Sequence, residues 1–356
     1  MSLGELIDGK YELVAVAGEG GMATVFKAVV RGAAGFTRPV AVKRIKPEYR
    51  GLKNYIAMFI EEARVGAELA HPNIVQVHDF VVENSSYYLV MEWVEGLDLG
   101  TLLRIYREAN LQLPWPLAIG IAVGTLRGLG AAHERRAADG SLSPVIHRDV
   151  SPHNIMLGVN GAVKLSDFGL ARARDRAASL TAPGTVKGKL SYLAPEVTFG
   201  KANSPQSDLF STAVVIWESL TQARLFDGRT DLDVFKKIRA CVVPPLSDYR
   251  TDVPPGVEAV LRKGLAADPT QRYASANDFA FAFANLLAQL SPIDASTALA
   301  SAVNDARNRL VGQLAPDELT IDLATMSGST QVTTSFDIEI SKPDLSVDPL
   351  PLTKKK

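Results

Sequence analysis

Cysteine is nearly absent. Cys241 is the single one in 356 residues, which excludes an internal disulfide framework and fits a reducing compartment. A lone thiol of this kind reads as a small buried hydrophobe. An excess of one charge is missing too: 38 Lys and Arg face 39 Asp and Glu, a formal net charge of −1. No whole-chain field therefore draws the protein to nucleic acid or to an anionic membrane. No window approaches about 18 uninterrupted apolar residues, so no membrane span is expected. Met1 to Lys10 has no basic region followed by an apolar core, so no signal peptide is expected. What is present is an ordinary globular balance, 47% hydrophobic and 22% charged, in a chain long enough for a large core and about two or three domains. No internal repeat stands out.

One stretch organises the rest: His147-Arg148-Asp149-Val150-Ser151-Pro152-His153-Asn154, with Asp167-Phe168-Gly169 starting 18 residues after Asp149. A carboxylate and an amide five residues apart can share one loop, the first facing a hydroxyl and the second a metal. Asp167 then takes the other side of that metal. Phosphoryl transfer needs this arrangement, because the work is mostly positioning and neutralising charge on phosphate oxygens. The set reads H-R-D-x-x-x-x-N followed by D-F-G. Over roughly residues 9–290 the chain resembles the eukaryotic-like (Hanks-type) protein kinases, especially the bacterial serine/threonine kinases.

The resemblance implies an α+β fold of two lobes: a small antiparallel sheet with one main helix over about 9–95, then a mostly helical lobe over about 96–290. ATP would lie between them with Mg²⁺, or Mn²⁺ in its place. Asp149 is the expected base, and Asn154 and Asp167 are the expected metal ligands, since hard oxygen donors suit that ion.

In the first lobe, Tyr11–Val16 and Val25–Val30 read as strands around Gly18-Glu19-Gly20-Gly21-Met22-Ala23. A glycine-rich turn between strands lets backbone N–H groups approach phosphate, though alone it is also what a plain hairpin looks like. Ala23 stands where the family's third glycine would be. Val40-Ala41-Val42-Lys43 matches the family's V-A-I-K strand, and a lysine on a buried strand needs anions. Its carboxylate partner is expected to be Glu62, in a helix over 54–69, with Glu61 as the neighbouring candidate. A one-residue step turns a helix by about 100°, so only one of the two faces the lysine. Gly66, four residues on, stands where the family often has a bulky apolar spine residue, and loose packing of the helix is expected there. His71–Val75 and Tyr88–Gly96 read as two further strands. By resemblance, Met91 is the gatekeeper, Glu92 and Val94 offer backbone groups to adenine, Val25, Ala41 and Met156 sandwich the ring, and Asp98 bonds the ribose.

In the second lobe, Leu97–Asn110 and Pro116–His133 show helical spacing, and 137–143 reads as a loop. By resemblance, Arg148 pairs with a phosphate arriving on the activation segment, which runs from Asp167 through Phe168 and Gly169 to Ala194-Pro195-Glu196. Ser179, Thr181 and Thr185 are its candidate phosphosites, and Arg172, Arg174 and Arg176 make its first half basic. Asp208 opens an apolar helix and is expected to hold the turn around Arg148, while Glu196 pairs with Arg272. His78, His133 and His153 show no metal-ligand clustering.

One departure is chemical. Ser151 stands where serine/threonine kinases carry a lysine that reaches the γ-phosphate, and Lys189 stands where they place the partnering threonine. The expectation is that Lys189 supplies the missing ammonium from the activation segment; a slow or degenerate kinase is the alternative. Ser151-Pro152-His153-Asn154 keeps the proline of the serine/threonine type.

Residues 291–356 are rich in Ser, Thr, Asp and Pro, with a helix expected over 297–314 and disorder after it. Phe336–Ile340 alternates like a strand; a solvated, linker-like tail is the leading reading, and a segment that adds to a sheet edge or docks on a partner is the alternative. The expected function is ATP- and Mg²⁺-dependent phosphorylation of Ser and Thr on protein substrates, with autophosphorylation, by a cytoplasmic enzyme of bacterial signalling. A nucleotide-binding pseudokinase scaffold and a tyrosine or dual-specificity kinase are the alternatives.

Overall fold

The computed structural model describes residues 3–137, 139–168, 189–310 and 312, with the backbone only at Lys189. Gly169, Ser179, Thr181, Thr185, the arginines at 172, 174 and 176, the Lys189 side chain and the 336–340 segment all lie outside the described residues.

The first lobe is one antiparallel sheet of six strands in the order β1-β2-β3-β4-β6-β5. Its strands are β1 (Leu6–Ile7), β2 (Tyr11–Glu19), β3 (Ala23–Arg31), β4 (Thr37–Ile45), β5 (Val77–Glu83) and β6 (Ser86–Glu92). β4 is rich in β-branched residues that pack well on a pleated surface, and both its neighbours pair with it, so Lys43 sits opposite Val25 on one side and Leu89 on the other. Helix α1 (Lys53–Glu68) lies against β5 and β6 and buries Phe59, Glu62, Ala63 and Gly66. Those positions fall at i, i+3, i+4 and i+7, one helical face.

A second sheet of three strands begins the other lobe, with β7 (Gly96–Asp98), β8 (Ile155–Gly158) and β9 (Val163–Leu165) in that order. Around it are α2 (Leu99–Glu108), α3 (Trp115–His133), α4 (Pro195–Thr198), α5 (Pro205–Thr221), α6 (Asp231–Ala240), α7 (Pro255–Gly264), α8 (Ala276–Leu290) and α9 (Ala295–Leu310). Helix α3 is long and apolar enough, by length and composition, to cross a membrane, but 78% of that window is buried within the fold. It is the core helix, packed on α5, α8 and β9. It carries Gly120, Gly124, Gly128 and Gly130, and a Cβ on Gly128 would come 2.6 Å from the Asn73 carbonyl oxygen. α5 is started by Ser204, whose hydroxyl accepts from Ser207 N at 3.3 Å while the Ser207 hydroxyl accepts from Ser204 N at 3.0 Å. That reciprocal cap satisfies two orphan donors at the helix start.

Four expectations change. His71–Val75 is a turn and not a strand, because Val75 N and Leu165 N make isolated bonds across to Leu165 O and Asn73 O instead of a ladder. Gly66 does not leave α1 loosely packed: a Cβ there would stand 2.4 Å from Val77 Cγ2, so Val77 already fills the space. The helix expected over 297–314 runs Ala295–Leu310 and is built into the fold, with Ala298, Leu299, Ala302, Val303 and Ala306 all buried, so the folded body extends beyond residue 290. Cys241 is half-buried, its thiol 3.4 Å from Leu265 O and its pKa pushed up by burial.

Gly66→Ala should destabilise the protein by about 1–3 kcal/mol through overpacking, measured by urea denaturation. Adding the same change on a Val77→Ala background should be nearly neutral; strictly additive effects would show that Val77 is not the opposing contact.

Candidate active site

Lys43 is 4% exposed on β4, where an unpaired ammonium would be strongly disfavoured. Its Nζ lies 2.6 Å from Glu62 Oε1 of α1 and 2.6 Å from Asp167 Oδ1. Burial works to lower the lysine pKa, but the carboxylates of Asp167 and Glu62 outweigh it and hold the ammonium above its usual range. Glu62, 3% exposed, is pushed up to about 7 by burial, with Lys43 pulling it back. Of the two adjacent glutamates it is Glu62 that faces the lysine; Glu61 lines a separate crevice with Arg64, Glu68 and Arg148.

The loop before β8 gathers the other residues. Asn154 Nδ2 donates to the Asp149 carbonyl at 2.7 Å and lies 3.2 Å from Asp149 Oδ2. Its own carbonyl accepts from Ser166 N at 3.0 Å, which places Asp167 beside it. With its NH₂ group turned to Asp149, the Asn154 amide oxygen is left for another partner. That oxygen and the Asp167 carboxylate are a hard donor set that fits a divalent cation completed by phosphate and water. Among the described residues no group of three His, Cys, Asp or Glu forms a closed metal cage.

Asp208 fixes this loop from below. At 1% exposed, it accepts from His147 N and Arg148 N at 2.8 Å each, and its Oδ2 lies 2.8 Å from His133 Nε2. Both Arg148 and Asp167 have positive φ, 68° and 63°. Such left-handed backbone costs about 1–3 kcal/mol at a non-glycine residue and persists only where the surroundings impose it. The Phe168 ring meets His147 edge-on at 4.6 Å. Further out, Arg272 clamps Glu196 through two bonds of 2.7 Å each. Arg148 lines a cavity of about 250 Å³ together with Glu61, Arg64, Glu68 and Arg135.

At the interlobe side, Gly20 N donates to Ala23 O at 2.8 Å, closing a turn in which Gly18 pairs Val25 and Glu19 pairs Thr24. Val25, Ala41, Met91, Val94 and Met156 join one apolar cluster, with Met22 beside them. Glu92 N is used by Gln76 O at 2.8 Å, so only the Glu92 carbonyl remains for a ligand there. Asp98 is more committed than expected. It accepts from Thr101 N and Thr101 Oγ1 at 3.0 and 2.6 Å and lies 2.8 Å from His153 Nδ1. Burial works to raise the pKa of this carboxyl, but His153 and Thr101 outweigh it and hold it below the usual range. The Asp98–His153 pair spans 55 residues and has no local signal in the sequence. Ser151 is 2% exposed, and among the described residues its Oγ has no hydrogen-bond partner.

A model of the protein kinase domain matches residues 11–282. The chain belongs to the protein kinase domain family. It is 39% identical over 281 residues to the tyrosine-protein kinase MasK of Myxococcus xanthus, covering 79% of this chain and 43% of MasK. It is 33% identical over 280 residues to the serine/threonine-protein kinase PrkC of Bacillus subtilis, covering 78% and 40% of the two. With the serine/threonine-protein kinase PknA of Mycobacterium tuberculosis, identity is 37% over 295 residues, 82% of this chain and 64% of PknA. The chain thus spans between two fifths and two thirds of these curated relatives. The crystal structure of the Mycobacterium tuberculosis PknI kinase domain superposes with a TM-score of 0.60 at 25% identity, covering 82% of this chain and all of that one. The expected kinship with bacterial Hanks-type kinases and the two-lobed α+β fold are both borne out.

The raised carboxyl of Glu62 has a defined sign. Its folded pKa of about 7 lies above the ordinary 4.5, so its contribution to stability is full below about pH 4.5 and is lost as pH rises through about 7. Between pH 5 and pH 8 the wild type should therefore lose on the order of 1–3 kcal/mol more stability than Glu62→Gln. Parallel stability–pH curves from urea denaturation would contradict this.

Proposed function

We propose that the protein is an ATP- and Mg²⁺-dependent protein kinase acting on Ser and Thr of protein substrates, its own chain included. The observation that carries this reading is the meeting of Lys43, Glu62 and Asp167 beside a loop that ties Asp149 to Asn154. In it, Asp149 accepts or orients the substrate hydroxyl, and the fixed Asn154 amide keeps its carboxylate in place. Lys43 holds the α- and β-phosphates, with Glu62 keeping the ammonium on the sheet. Asn154 and Asp167 hold the cation, which when bound neutralises phosphate charge. Gly18 to Ala23 cover the phosphates, and the Val25, Ala41, Met91 and Met156 cluster receives adenine. Asp98, held by Thr101 and His153, presents less of its carboxylate to a ribose than a free aspartate. Arg148 and the crevice it lines receive a phosphate on the activation segment.

With Ser151 in place of the expected lysine, positive charge at the γ-phosphate comes in this reading from Lys189. A kinase whose transition state lacks such a charge is slower by roughly 10²–10³. Tyrosine as acceptor is the second reading, favoured by the 39% identity with a relative named as a tyrosine-protein kinase.

The test is transfer from labelled ATP to a generic basic protein and to the chain itself. Asp149→Asn should lower turnover by about 10²–10⁴ while nucleotide binding persists; undiminished transfer would remove Asp149 as the base. Lys189→Met should lower turnover at saturating ATP at least about tenfold, and unchanged turnover would return Lys189 to solvent. Phosphoamino acid analysis should find phosphoserine and phosphothreonine, whereas phosphotyrosine alone would favour the second reading.

A further inference from the structure

The folded body does not stop where the family match does. The match ends at residue 282, whereas α9 lies beyond it and packs on α2, α3, β7 and β8. Its seat is shaped for it. A Cβ on Gly120 of α3 would stand 2.9 Å from the Ala295 Cβ, and one on Gly161 would come within 2.2 Å of the Ser296 carbonyl oxygen. Contacts that close exist only where a side chain is missing on one partner, so the first turn of the helix is held by shape, and Ala298, Leu299 and Ala302 are buried after it.

The second half reaches the segment that joins the lobes. Asn304 Nδ2 donates to Val159 O at 3.2 Å, and Val159 N donates to Glu95 O at 2.8 Å. Arg307 pairs with Glu95 Oε1. The other oxygen, Oε2, accepts from Trp93 Nε1 at 2.6 Å and from Lys27 Nζ at 3.2 Å. Lys27 belongs to β3 in the sheet and lies 4.9 Å over the Trp93 ring. One carboxylate therefore joins the sheet, the connecting segment and α9. These donors, Trp93 foremost, hold the Glu95 carboxyl below its usual range against partial burial. An isolated exposed ion pair contributes little, but several fixed donors on one carboxylate form a network. Trp93 and Val94 share the apolar cluster of Val25, Ala41, Met91 and Met156, so movement of Glu95 is passed to the adenine walls within two residues.

We infer that Arg307 is a positioning residue for nucleotide binding: through Glu95 it sets the 92–95 segment, and with it the lobe angle at which adenine is received. Helix α9 is then a brace of the ATP site contributed from outside the family's core. This rests on the kinase reading above. It also makes a specific demand: the effect appears in nucleotide affinity, not in the chemical step.

Full-length Arg307→Gln, Arg307→Glu, Lys27→Gln and the Arg307→Gln/Lys27→Gln pair test it. ATP affinity is read by calorimetry, kinetics by the KM and kcat for ATP, and mobility by hydrogen exchange of the amides of residues 93–96. For Arg307→Glu the expected result is a Kd and KM for ATP raised about threefold to fivefold with kcat within about twofold. Faster exchange at 93–96 should accompany it, and the double variant should fall short of the product of the single effects. If Arg307→Glu fails to fold, Arg307→Gln carries the same comparison with a smaller change. ATP affinity equal to wild type, or a fall in kcat at unchanged KM, overturns the brace while leaving the kinase reading intact. A wild-type chain that binds no ATP overturns both.

Discussion

A charged amine in the middle of a sheet sets the terms for the first lobe. Lys43 is fixed on β4 between two paired neighbours, with almost no access to water. Desolvating such a group costs several kcal/mol unless carboxylates replace the lost hydration. Glu62 and Asp167 do so from two different directions, one from α1 and one from the end of the loop after β9. The position of α1 is thereby tied to the sheet at one point, and one helical turn later Gly66 meets Val77 and ties it sterically at a second. An electrostatic and a packing constraint a turn apart agree on the same helix position. Substituting at either point disturbs the other.

Much of this was legible because the informative residues come in short strings whose spacing has a physical reason. His147 to Asn154 and Asp167 are near enough in sequence to share one loop, and Val40 to Lys43 shows a lysine among residues that belong on a buried strand. Helix periodicity placed α1, α2 and α3 to within two residues of their ends. What stayed hidden depends on partners distant in sequence. Asp98 and His153, or Glu95 and Arg307, have no periodic relation, so nothing local says that they meet. The 71–75 segment is apolar enough for a strand but finds no ladder to join. The fate of Gly66 turned on Val77, a residue that only folding brings near. The segment beyond 290 looked like a tail because its apolar stripe is mostly alanine, which buries little area per residue but allows close approach.

The feature that most sets the site apart is Ser151. Its short, buried hydroxyl cannot do the work of a long cationic side chain, and Lys43 is already shared between two carboxylates. On the kinase reading proposed above, that leaves the cation held by Asn154 and Asp167, and the proposed Lys189, to supply charge at the phosphates. The loop itself is otherwise built to hold shape: Asp208 binds two consecutive backbone N–H groups, and the left-handed turns at Arg148 and Asp167 are imposed by it and by the Ser166–Asn154 bond.

Four glycines in α3 carry a consequence for how the molecule assembles. Each lowers intrinsic helicity by about 1 kcal/mol relative to alanine, so this most apolar segment is a poor helix by itself. It is completed by Asn73, Val163, Asn277 and Ala295, drawn from before and after it in the chain, which close around its bare backbone. Synthesis from the N-terminus therefore leaves α3 without its last partners until α8 and α9 have emerged, and the larger lobe should form late and in a single cooperative step.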